Sequence, residues 1–240
     1  MTEARERFRR NMAALEQQTL GALELVLVAL DRILESLEHR DVELAQIVID
    51  EDRAIDARHA DVHNGVIALL ALQAPVAGDL RLLAAMLHVV RYAERMGDQC
   101  VAIAKLIPVS GHEPPIRREI LDGVLTMGRC ARAEVVQCKH AFAQRSVVMA
   151  EDLVERDFEV NRLNRDIFRL AVEAGDDADT REWAMAMTLV ARAFERVGDN
   201  AIDVGEQTAF VVTGVFREFS SAVAADAWTL NESRRGGPYA

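Results

Sequence analysis

Little in this sequence suits a strand-rich or disulfide-bonded protein. Five prolines and an aromatic content of 5% across 240 residues leave few turn-makers and few large rings, so packed aliphatic helices are the better expectation. The three cysteines, Cys100, Cys130 and Cys138, form no C-x-x-C, and their odd number closes no disulfide framework. A reducing cytoplasm fits that usage. Positive charge is also short: 28 Lys and Arg face 39 Asp and Glu, a net charge of −11, which argues against nucleic-acid binding and against docking on an anionic membrane. The most apolar stretch, Leu20 to Leu34, is interrupted by Glu24, Asp31 and Arg32 and is too short and charged to span a bilayer. Charge rather than an apolar core follows Met1-Thr2-Glu3-Ala4-Arg5, so no signal peptide is expected, and any membrane association would run through a partner.

What the chain does contain is a stretch that occurs twice. Arg91-Tyr92-Ala93-Glu94-Arg95-Met96-Gly97-Asp98 returns as Arg192-Ala193-Phe194-Glu195-Arg196-Val197-Gly198-Asp199. Each copy reads R-x-x-E-R-(apolar)-G-D within a run of helix formers, which puts its Glu and Asp on one helical face. Two carboxylates with Cβ atoms roughly 6 Å apart repel by about 0.7 kcal/mol in water and about 2.8 kcal/mol at an effective dielectric of 20. A cation would turn that cost into a gain.

Apolar residues recurring at three and four predict six helices. Their expected spans are about Glu6 to Glu38, Val42 to Gln73, Pro75 to Ile107, Ile116 to Gln144, Val148 to Ala174 and Thr180 to Phe219, with Asp41 as an N-cap. At 1.5 Å per residue, rods of roughly thirty residues run about 45 Å. Three per half make an all-α protein of two tandem antiparallel three-helix bundles related by duplication, 1–110 and 111–219, with a disordered tail over 220–240. The proline-rich Pro108 to Pro115 is the linker between them. Arg40-Asp41-Val42 and Asp52 find their echo in Arg145-Ser146-Val147 and Asp157, which extends the duplication beyond the octapeptide.

Along the second helix Asp52, Asp56, His59 and His63 fall at steps of four, three and four on one face, and Glu94 and Asp98 form the matching pair on the third. The sixth helix carries Glu195, Asp199, Asp203 and Glu206 as a stripe, while the fifth offers Asp157, then Asn161 and Asn164. Carboxylates with imidazole suit Zn, Fe or Mn, and carboxylates with water suit Mg or Mn. The bland alternative for any one pair is a solvated acidic face. No Lys or Arg follows at i+4 to neutralise Asp98 or Asp199. Gly97 and Gly198 are read as points of close helix packing, Arg95 and Arg196 as salt-bridging or interface residues, and the cysteines as small buried side chains. No nucleophile constellation or phosphate loop is present. A ferritin-like di-metal enzyme would want two E-x-x-H motifs, and only the related Asp56-Ala57-Arg58-His59 is found. A metal-free scaffold with acidic stripes for a basic partner is the remaining alternative.

With the doubled E-R-x-G-D, Asp52-Arg53-Ala54-Ile55-Asp56 and Ala74-Pro75-Val76-Ala77-Gly78-Asp79-Leu80-Arg81, the sequence resembles the PhoU family over about residues 8 to 217. That resemblance implies paired three-helix bundles, mostly dimeric, holding metal clusters on an acidic surface. It implies a non-enzymatic cytoplasmic regulator of phosphate homeostasis that links the Pst phosphate ABC transporter to a sensor histidine kinase and damps the phosphate-starvation response. Carried over, the metal-associated carboxylates are Asp52, Asp56, Glu94, Asp98, Asp157, Glu195 and Asp199, with His59 and Asp203 added from the helix faces. The chain departs from the family pattern at Ala102 and Lys105 after the first G-D, at His59 where an acid is usual, and at Asn161 in place of the second Asp of D-x-x-I-D.

Overall fold

The computed structural model describes residues 3–108, 117–175 and 177–219. Its elements are α1 (Glu3–His39), α2 (Val42–Leu72), α3 (Ala77–Leu106), α4 (Arg118–Gln144), α5 (Val147–Val172) and α6 (Ala178–Thr213). No strand occurs among the described residues, and the expected linker beyond Pro108 and the tail from Ser220 lie outside them. Helices α2, α5 and α6 start where a side chain satisfies a free N–H group. Asp41 Oδ1 accepts from the Leu44 amide at 2.8 Å, Ser146 Oγ from Met149 at 3.3 Å, and Asp177 Oδ2 from Thr180 at 2.8 Å. Arg40 and Arg145 both take φ of 56° in the turns that follow α1 and α4, so the duplication extends to the same left-handed corner.

Most helix ends lie within about three residues of expectation, and the end of α6 departs furthest. α3 begins at Ala77, two residues after Pro75. α6 stops at Thr213 rather than Phe219 because Gly214, at φ 77°, closes it with its N–H on Phe210 O. The chain then folds back: the Phe219 amide donates to Glu206 Oε1 at 2.7 Å, and Arg217 pairs with Glu151.

Helices α1, α2 and α3 pack on one another, as do α4, α5 and α6, and the two bundles join along α3–α6 and α1–α4 around one continuous core. Both joining pairs run antiparallel. Near the start of α3, Arg81 donates to Val211 O at the end of α6, where a cation also suits the negative end of the helix dipole. Along the other seam Glu16, Glu24, Asp31 and Glu38 of α1 meet Arg145, Lys139, Arg132 and Arg129 of α4 in that order. Each such exposed pair contributes about 0 to 1 kcal/mol, so the core and not this ladder supplies most of the stability.

Helix α4 is wedged between the bundles at Gly128. A Cβ there would stand 2.6 Å from Leu34 of α1 and 2.7 Å from the ring of fully buried Phe194 on α6. Gly128→Val should therefore overpack the junction and lower unfolding free energy by about 1 to 3 kcal/mol in urea titration. Unchanged stability would show that the two bundles separate readily at this point.

Candidate functional site

Each R-x-x-E-R-x-G-D octapeptide sits in the middle of its helix, and its first arginine turns back onto its glutamate. Arg91 Nη1 lies 2.9 Å from Glu94 Oε1, and Arg192 pairs with Glu195 in the same i,i+3 arrangement. Among the described ion pairs, those of the octapeptides are made by Arg91 and Arg192, while Arg95 faces Asp203 across the junction of α3 with α6, in keeping with the interface alternative. Asp98 and Asp199 remain exposed at the bundle surface.

The glycine that follows is where a neighbouring carboxylate comes to rest. In the first bundle a Cβ on Gly97 would lie 2.9 Å from Asp52 Oδ1 and 2.9 Å from Ile55 Cδ1. In the second, a Cβ on Gly198 would lie 2.6 Å from Glu134 Oε2 and 3.0 Å from Asp157 Oδ1. Close packing was expected at both glycines; that the close neighbour is a carboxylate was not. Each glycine costs its helix about 1 kcal/mol relative to Ala, and the return is a backbone surface that an acidic side chain can reach.

The bundle brings some of the sequence candidates together and separates others. Asp52 of α2 faces Asp56, Asp98 and Glu94, and its pKa rises from 3.8 to about 6, first through burial and then through those three carboxylates, against the opposing charge of Lys105. Asp157 of α5 is only 7% exposed, and burial followed by Asp199 lifts it to about 6, opposed by a hydrogen bond from Asn161 Nδ2 to its Oδ2. Burial and then Asp199 raise the pKa of Asp203, opposed by Arg95 of α3, and burial followed by Asp203 and Glu206 raises that of Tyr92 on α3. Glu206 is committed to holding Phe219. The His59 and His63 rings meet edge to face at 6.2 Å. Among the described residues no group of three His, Cys, Asp or Glu side chains is already assembled around one point as a metal site. Burial pushes the Cys100 thiol up to about 12 and Cys138 higher still, which leaves both unreactive.

Glu134 on α4 went unrecognised in the sequence. It is 1% exposed, neither of its oxygens has a hydrogen-bond partner, and Asp157 Oδ1 beside it is equally unpartnered. Burial, then Asp157, then Asp199 raise its pKa from 4.5 to about 8. A signal was available: Glu134 lies in the buried stripe of Met127, Ala131, Val135, Cys138 and Phe142, where a charged residue needs a reason. In the first bundle the frame that lays Arg40 on Arg145 puts Ala29 at this position. Ala29, Asp52, Gly97 and Cys100 there help to line a cavity of about 30 Å³, space enough for a water.

The folded chain thus holds protons on Glu134 that the unfolded chain releases near pH 4.5. The contribution of Glu134 is fully present below about pH 4.5 and is lost as pH rises through about 8. The loss is of the order of 4 kcal/mol for a group so deeply buried. In urea unfolding of chelator-treated protein from pH 5 to 9, stability should fall steeply for the native chain and much less for Glu134→Gln. Parallel curves would place the carboxylate in water.

Similarity to known proteins follows the same doubled architecture. A family model described as "PhoU domain" matches at residues 20–107 and again at 124–208, one match to each bundle. The "Phosphate-specific transport system accessory protein PhoU homolog" of Aquifex aeolicus (strain VF5) is 31% identical over 182 residues, covering 75% of this chain and 81% of that protein. "Phosphate-specific transport system accessory protein PhoU homolog 1" of Mycobacterium leprae (strain TN) is 28% identical over 220 residues, 89% of this chain and 96% of the relative. The crystal structure of the phosphate transport system regulatory protein PhoU from Streptococcus pneumoniae shares the fold, with a TM-score of 0.81 at 23% identity over 88% of this chain and 99% of that one. With both bundles matched and a relative 31% identical across most of its length, the chain belongs to the PhoU family.

Proposed function

We propose that this chain is a non-enzymatic accessory protein of a phosphate-specific transport system. In this reading it is cytoplasmic, acts as a homodimer, and couples the transporter to a sensor histidine kinase so that the starvation response is damped when phosphate is plentiful. The observation that carries the proposal is the match of both bundles to the PhoU domain, in register with the internal duplication. Two physical features support an adaptor. The arginine and glutamate of each octapeptide are spent on one another, and no helix among the described residues is long and apolar enough to cross a membrane. Docking on the transporter would therefore be peripheral.

Metal on the acidic faces belongs to the same reading. The donors fit best in the second bundle, where Glu134 and Asp157 present buried oxygens without partners and Gly198 lets both approach its backbone. Asp157 and Asp199, with Glu195, Asp203 or Glu134 nearby, would hold a cation there; Asp52, Asp56, His59, Glu94 and Asp98 are the candidates in the first bundle. A bound divalent ion would supply charge neutralisation, and through it rigidity, rather than catalysis.

Affinity capture of the tagged chain from phosphate-replete cells should co-purify components of the transporter and a histidine kinase, with metal present in the same sample. Deleting the chain should switch on a starvation-regulated reporter in high phosphate. A silent reporter together with absent transporter subunits would overturn the regulatory reading, whatever the metal content.

A further inference from the structure

Past the end of α6 the chain runs backwards. After Gly214 closes the helix, the Phe216 ring meets that of Phe210, Arg217 pairs with Glu151 near the start of α5, and the Phe219 amide donates to Glu206 Oε1 at 2.7 Å. A Cβ on Gly205 would stand 3.4 Å from the Phe219 ring, with Leu153 and Ala150 of α5 as its other neighbours. Between Gly214 and Phe219 the chain thus descends α6 by about two turns, antiparallel to it and along its border with α5. Residues 220–240 follow from that point.

Farther along the same border lies an open groove of about 400 Å³, lined by Asn164, Arg165 and Phe168 of α5 and Thr188, Leu189 and Arg192 of α6. One turn beyond, Val172 and Met185 continue its apolar surface, and Phe168, Val172, Met185 and Leu189 are all more than half exposed. Large apolar side chains gathered in this way mark a site of contact. Arg165 stands outside every ion pair among the described residues, and Arg192 meets only Glu195 of its own helix.

Measured from Glu206, α6 reaches Arg192 after about 21 Å, Leu189 after about 26 Å and Met185 after about 32 Å. An extended chain leaving Phe219 at about 3.3 Å per residue brings Asp226 to about 23 Å, Trp228 to about 30 Å and Leu230 to about 36 Å. The acid arrives beside Arg192 and Arg165, and the two apolar side chains arrive over Leu189, Phe168 and Met185. Before them, Ser220 to Ala225 carries no charge and passes Asp199 and Glu195 without repulsion. After them, Arg234 and Arg235 come at about 50 Å to the turn between α5 and α6, where Glu173, Asp179 and Glu182 are exposed. Chain and surface match in order, with acid on base, apolar on apolar and base on acid.

We propose that the segment from Asp226 to Leu230 docks in the α5–α6 groove of its own molecule, with Trp228 over Phe168 and Leu189 and Asp226 on Arg165. Attachment through Phe219 supplies an effective concentration on the order of millimolar, which favours this occupant over a separate chain. The PhoU-domain match ends at residue 208, so the docking segment lies outside the shared domain. A partner that uses this face has to displace it.

Tryptophan fluorescence of the full-length protein tests the contact, because the other tryptophan, Trp183, is only 4% exposed. Acrylamide should quench neither tryptophan strongly in the native chain. Leu189→Glu, at an exposed position where the fold has little at stake, should shift emission to the red and raise quenching several-fold with helix content unchanged, and adding Trp228→Phe should abolish that response. Arg165→Glu should loosen the segment likewise, and combining it with Asp226→Arg should restore shielding; without that rescue the register is overturned. A Trp228 freely quenched in the native chain overturns the proposal. So does shielding that survives Leu189→Glu, which seats the segment elsewhere, or shielding lost on dilution, which makes a second copy the occupant.

Discussion

At two points in this molecule a helix backbone and a neighbouring carboxylate come so close that no side chain fits between them. The rest of the acidic architecture depends on that approach. Gly97 and Gly198 are the only residue type that allows Asp52 and Asp157 to rest against α3 and α6, and without it these acids would be displaced toward solvent. Burial lifts their pKa values first; Asp56 and then Asp98 add to the rise at Asp52, and Asp199 to that at Asp157. The arginine and glutamate at the head of each octapeptide close on one another and leave the aspartate at its end exposed.

The two halves share a backbone and differ in what they place around it. The first gathers Asp52, Asp56, Glu94 and Asp98 with Lys105 as counter-charge, close to the surface. The second replaces Asp56 by Asn161, which donates to Asp157, and draws the charge inward through Glu134. It also spends Asp203 on the junction with α3 and Glu206 on the returning chain. After duplication a shared scaffold lets one copy keep an alanine where the other acquires an acid. Both copies turn the same left-handed corner after their first helix.

Much of the architecture is legible in the sequence because helical periodicity over thirty residues is a strong signal and Asp41 caps as its chemistry suggests. Gly97 and Gly198 announce close packing by their cost in a helix interior. The end of α6 is less readable, since Val215 and Phe216 continue the apolar pattern past Gly214 and only the backbone geometry reveals the stop. Glu134 was overlooked for a different reason. The duplicated motif drew attention to α3 and α6, whereas this residue lies on α4, where its helix has no acid in the corresponding copy to mark it. Spacing favours Arg91 and Arg192, three residues before each glutamate, over Arg95 and Arg196 beside it, because adjacent residues on a helix do not face each other.

The seam between α1 and α4 carries a quieter implication. All four acids lie on α1 and all four bases on α4, so the ladder discriminates far more than it stabilises. Two copies of α1 laid side by side would set acid against acid, and a slip of one helical turn along α4 would leave the charges mismatched. The segregation of sign thus selects α4 over another α1 as the neighbour of α1 and sets the register between them.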